Sequence, residues 1–128
     1  MDKNRIELRG NLSSDIEVKT QKDNKTWCHF VLCVNEYSPN SKNGEKNIPT
    51  FINIACFNEH LTKYLTTYAR KGSRVEIEGK LTVTKRERNG YTHFFTNVLM
   101  TDGAVLKDKA DLEAPNPEES NIENNQPF

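Results

Sequence analysis

Up to about residue 105 the chain alternates apolar and polar positions with the two-residue period of β-strands. Ile6, Leu8 and Leu12 share one face of a first segment, in which Gly10 marks a bulge or tight bend. Ile16 and Val18 carry the alternation through residues 15–20, and the polar residues 21–25 read as a turn. Residues 27–34 are almost continuously apolar. That pattern suits a strand covered on both faces, or one with core on one side and an interface on the other. Residues 36–49 hold Pro39 and Gly44 and read as a long loop, followed by a strand over 50–57.

The one helix signal follows. Asn58 is suited to cap its start, and Leu61, Tyr64, Leu65 and Tyr68 fall on one face. Arg70 and Lys71 suit the negative end of the helix dipole, and Gly72 suits the C′ position. Residues 73–85 alternate again through Val75, Ile77, Leu81 and Val83, with Gly79 as a second mid-strand glycine. Asn89-Gly90 is a hairpin turn signal, and residues 91–105 form the last strand region. Three strands, a helix and two strands make the order of an OB-fold, although order alone leaves other small barrels open. The expected architecture is all-β: a five-stranded barrel with one helix between the third and fourth strands.

Charge divides the chain. Residues 108–128 hold one base against six acids, a balance of −5, while residues 1–107 hold 17 bases against 12 acids, a balance of +5. The acidic segment, with Pro115, Pro117 and Pro127, is too polar to bury a core and is expected to be a disordered tail behind one domain at 1–107. No apolar run reaches the roughly 18 residues of a membrane span. The charged start, Met1 to Arg5, lacks a secretory signal, so a cytoplasmic protein is expected. Cys28, Cys33 and Cys56, an odd and scattered set, read as buried thiols.

Holding an unpaired nucleic-acid strand needs cations for the phosphates and flat side chains for the bases. Both are present. Tyr37, Phe51, Phe57 and Tyr91 supply rings, and Phe51 and Phe57, six residues apart in one strand, point to the same face. Lys80, Lys85, Arg86 and Arg88 surround the hairpin turn, with Arg70 and Lys71 near the helix end. Arg5 and Asn53 complete the candidate set. Phe57 reads equally well as a core residue. Trp27 fits a subunit contact, a place under the helix, or the nucleic-acid path. Phe30, Phe94 and Phe95 read as core or interface aromatics. His29, His60 and His93 stand at no metal-ligand spacing, no phosphate-cradling or dinucleotide glycine motif occurs, and Glu76 and Glu78 read as a solvated face. No catalytic residue, metal site or cofactor is expected.

Several segments together resemble the bacterial single-stranded DNA-binding proteins: Asn4-Arg5-Ile6 with Gly10-Asn11-Leu12, Asp15-Ile16-Glu17-Val18, and Phe30-Val31-Leu32-Cys33-Val34-Asn35. Tyr64-Leu65, Arg70-Lys71-Gly72-Ser73, and Val75 through Leu81 continue the likeness, and Pro127-Phe128 matches the end of the family's tail. The resemblance implies a nucleoid-associated OB-fold protein without enzymatic activity, a homotetramer with a dimer as the alternative. It implies a protein that coats single-stranded DNA in replication, recombination and repair. It also implies stacking by Tyr37, Phe51 and Phe57, and docking of Pro127 and Phe128 on replication and repair proteins. The family's fourth stacking position falls on Arg86, a family lysine falls on Glu59, and Glu7 and Arg9 replace apolar residues of the first strand. Asn124, Asn125 and Gln126 stand where family tails carry aspartates. A primosome-type accessory protein that chiefly contacts other proteins is the nearest alternative, and a small OB-fold nuclease a distant one.

Overall fold

A computed structural model describes residues 1–37 and 47–107, excluding the side chains of Tyr37 and Asn47. The expected loop at 38–46 and the tail at 108–128 lie outside the described residues. The elements are β1 (Ile6–Leu12), β2 (Glu17–Thr20), β3 (Thr26–Tyr37), β4 (Asn47–Cys56), α1 (Glu59–Tyr68), β5 (Arg74–Arg88) and β6 (Tyr91–Lys107). The first expected strand is thus two. Ser13 donates to the Val31 carbonyl from both its backbone N (2.9 Å) and its Oγ (3.2 Å). Ser14 Oγ accepts from Val31 N at 3.0 Å. These bonds satisfy the β3 backbone where β1 leaves it, and the chain crosses over to pair β2 along Trp27 and His29.

The strands order β1-β5-β6-β4-β3-β2, and an added β1–β3 pairing closes the first five of these into an OB barrel with β2 outside it. All pairings are antiparallel except β4 with β6, where Ile54 lies opposite Val98 and Ala55 opposite Leu99. Beyond that short parallel seam the β5–β6 hairpin continues as an arm, from Thr82 opposite Asn97 to Arg88 opposite Tyr91. The turn is the expected one: Asn89 and Gly90 both have positive φ, at 54° and 80°.

The two mid-strand glycines sit where strands press closest. A Cβ on Gly10 would strike the Cys33 carbonyl oxygen, and one on Gly79 the Leu99 carbonyl oxygen. Gly79 also lies at a register shift in β5, where the strand bends from the barrel into the arm.

Leu12, Phe30, Leu32, Ile54, Val75, Ile77, Val98 and Met100 fill the barrel, and α1 plugs one end with Leu65 and Thr62. Asn58 caps the helix as expected, its Oδ1 accepting from Leu61 N at 3.0 Å. Glu59 accepts from the Thr26 backbone N at 3.2 Å, tying the helix start to β3. The helix end differs from expectation. Ala69 is the C-cap in extended conformation, and no basic residue lies in the last turn. Gly72, with φ of 96°, serves a separate turn closed by Ser73 N donating to the Arg70 carbonyl at 2.9 Å. Tyr68, expected on the buried helix face, is exposed and rests against Tyr64, whose hydroxyl accepts from Val105 N.

Of the cysteines, Cys28 and Cys56 are buried partners across β3 and β4, while Cys33 is partly exposed on the outer face beside Phe51. The strand period decides this: Cys33 is five residues from Cys28, an odd number, so it points the other way.

Candidate nucleic-acid interface

The outer face of β3 and β4 follows from that same period. Ile52, Ile54 and Cys56 turn toward the core, leaving Phe51, Asn53, Ala55 and Phe57 outward. Phe51 is 63% exposed and Phe57 51%, so neither ring belongs to the core. On β3 the outward residues include Trp27, His29, Val31 and Cys33. Trp27 lies against Phe57 with ring centroids 4.9 Å apart and planes 25° from parallel. His29 tilts against Trp27 at 5.6 Å, and the Lys19 ammonium stands 5.9 Å from the Trp27 ring. His29 Nε2 also meets Glu17 Oε2 at 3.0 Å. Of the three places open to Trp27, the structure gives the outer face, next to Phe57.

Opposite this platform stands the β5–β6 arm. Cross-strand register puts Thr82, Thr84, Arg86 and Arg88 on one face of the arm with Asn97, Phe95, His93 and Tyr91. Lys80, opposite Leu99, begins the same row. A groove of about 590 Å³ runs between platform and arm, lined on one side by Trp27, His29, Asn53 and Phe57 and on the other by Thr82, Thr84, Arg86 and Asn97. It continues into a smaller hollow of about 400 Å³ beside Asn53, Arg86 and Phe95. The walls combine flat rings, amides and a guanidinium, a composition suited to bases and phosphates together.

Trp27, Asn53, Phe57 and Arg86 are therefore brought together on the groove. Phe51 continues the platform, and Lys80, Arg88 and Tyr91 continue the arm. Lys85 projects from the arm's other face, opposite Phe94. Arg5, just before β1, is bound to Glu7 at 2.7 Å and Glu78 at 3.0 Å. Arg9 also meets Glu76 at 3.0 Å, so the two β5 acids of that solvated face hold Arg9 of β1 and Arg5 just before it. Arg70 and Lys71 belong to the turn after α1, where Lys71 N donates to Asp15 Oδ1 at 2.9 Å. None of Arg5, Lys85, Arg70 and Lys71 lines the groove. The Tyr37 ring and the Pro127-Phe128 tip lie outside the described residues.

Sequence reasoning missed Lys19 and Phe95. Of the aromatics expected in the core or an interface, Phe30 is core, while Phe94 and Phe95 are 66% and 50% exposed and so are not core. The signal for Phe95 was present: Tyr91, His93, Phe95 and Asn97 are spaced by two and share one face of the strand. Lys19 became visible only through its register opposite Trp27. No three His, Cys, Asp or Glu side chains among the described residues converge to hold a metal. No described helix is long and apolar enough to cross a membrane.

Residues 3–105 match the single-strand binding protein family. A single-stranded DNA-binding protein 2 of Streptococcus agalactiae serotype V is 31% identical over 107 residues, which span 84% of this chain and 79% of the relative. A single-stranded DNA-binding protein of Rhizobium meliloti is 27% identical over 99 residues, spanning 76% and 57%. Among solved structures, a Plasmodium falciparum SSB in complex with ssDNA superimposes with a TM-score of 0.75 at 22% identity, covering 84% of this chain and 97% of the other. The Saccharomyces cerevisiae mitochondrial protein Rim1 gives a TM-score of 0.62 at 23% identity, covering 84% and 98%. These structural likenesses bear on the architecture, the closed OB barrel already described.

Proposed function

This chain belongs to the single-strand binding protein family, and on that premise we propose that it binds single-stranded DNA without strong sequence preference along the groove between platform and arm. The observation that carries the reading is the stack of half-buried Trp27 on exposed Phe57, facing Arg86 across the groove. Bases leave water to lie on the rings, and any base can do so because each has a flat face. Lys19, Lys80, Arg86 and Arg88 neutralise the backbone. Phe51 extends the stacking row, and Tyr37 supplies a further ring. Arg5, Lys85, Arg70 and Lys71 serve as outlying phosphate contacts for a longer strand.

The protein acts as a homo-oligomer, a tetramer before a dimer. Its role is to coat and protect exposed strands in replication, recombination and repair, without catalysis or cofactor, in the cytoplasm at the nucleoid. Residues 108–128 form an acidic tether whose Pro127-Phe128 tip recruits partner proteins. Family membership supports these points.

The test uses Trp27, the one tryptophan in the chain. Its fluorescence should be quenched on titration with oligo-dT, and the affinity should fall steeply as salt rises, because phosphate contacts release counterions. Absence of binding at low salt, or equal affinity for duplex, overturns the reading.

A further inference from the structure

The β5–β6 arm holds an exposed ring that the groove's main stack does not use. Phe95 is half exposed and directly opposite Thr84, with the Arg86–His93 pair as its next row. It lies in the smaller hollow with its neighbour Phe94 and with Asn53, Arg86 and Asn97. No ring among the described residues stacks on it, unlike Phe57, whose face Trp27 already covers. The arm's groove face also carries no acid: Thr84, Arg86 and Arg88 face Tyr91, His93 and Phe95, while Glu87 points to the other side with Thr92. An apolar ring set among cations and amides fits a polyanion with flat groups better than an uncharged protein surface.

We propose that this hollow is a second base-stacking subsite, distinct from the Trp27–Phe57 stack, which takes one nucleotide of an unpaired strand. The base lies on the free face of Phe95. The Arg86 guanidinium meets the adjoining phosphate. The side-chain amides of Asn53 and Asn97, each both donor and acceptor, meet the base edge from the two walls. The strand thus passes from platform to arm at this point. The proposal rests on the groove being the nucleic-acid path.

The experiment compares the full chain with F95A, F95L and V83A. Val83 is exposed on the arm's other face, opposite Thr96, and serves as control. Oligo-dT of increasing length is titrated by Trp27 quenching and, separately, by anisotropy of the labelled oligonucleotide. For F95A and F95L, affinity for long oligonucleotides should fall at least about 5-fold, while Trp27 quenching by the shortest binding oligonucleotide is unchanged. V83A should behave as the parent. F95L keeps apolar bulk without a flat ring, so its loss separates stacking from folding. Unchanged affinity in F95A overturns the subsite, as does full retention in F95L. A shift in oligomeric state of F95A by light scattering assigns Phe95 to a contact between copies and also overturns it. Failure of the parent to bind any oligonucleotide refutes instead the groove as the nucleic-acid path.

Discussion

Trp27 and Phe57 lie nearly face to face, 4.9 Å apart, on the outer surface of neighbouring strands. Directly beneath them the buried pair Cys28 and Cys56 anchors the same two strands from the core side. Each ring therefore stands one residue from a fixed point of the barrel, which holds the stack in place before any ligand arrives.

Replacing Phe57 by alanine should separate binding from stability. The ring is half exposed, so its removal should change folding free energy by less than about 1 kcal/mol. Affinity for oligo-dT should fall by about 1–3 kcal/mol, the loss of one stacked base. Urea denaturation and fluorescence titration on the same sample check both halves.

Arg86→Ala should act through the backbone of the strand. Losing one phosphate contact lowers the slope of log affinity against log salt by about 1 and weakens binding uniformly across homopolymers. Titrations at four or five salt concentrations measure the slope. An unchanged slope would place Arg86 in base stacking instead.

Gly79→Ala should destabilise the barrel, because the added methyl would meet the Leu99 carbonyl oxygen, part of rigid backbone. The cost expected for overpacking is about 1–3 kcal/mol, read as a lower midpoint in thermal or urea unfolding.

Thiol chemistry should distinguish the three cysteines. The hydrogen bond shared with the Cys56 sulfur, and then burial, push the Cys28 thiol far above its ordinary value, so it stays protonated and inert. Cys33, partly exposed beside Phe51, should be the first thiol to react with an aromatic disulfide reagent in the native state, with all three reacting in denaturant. Bound oligo-dT should slow the Cys33 reaction, and an unaltered rate would mean that the strand does not cross Phe51.

Much of this fold could be read from local rules. The period of two placed Phe51 and Phe57 on one face, Asn58 marked the helix start, and Asn89-Gly90 marked the hairpin. What escaped depends on relations between distant segments. Whether residues 6–20 make one strand or two is decided by Ser13 and Ser14 bonding to Val31, far along the chain. Gly72 looked like a helix terminator because Arg70 and Lys71 precede it, yet the chain already leaves the helix at Ala69. Phe94 and Phe95 read as core or interface alike, because a sequence does not say where a barrel ends. β6 meets β4 only around Val98 and Leu99, and every ring before that point stands outside.

The shortness of that parallel seam has a further consequence. Among the described residues the groove's two walls pair only near Ile54 and Val98, and past the register shift at Gly79 the hairpin continues without a strand partner on that side. The buried core lies on the barrel side of this junction, and the arm's share of the grip lies beyond it. Selection can thus retune how firmly a ligand is held, lengthening or re-decorating the arm, while the folded state keeps its resilience to heat.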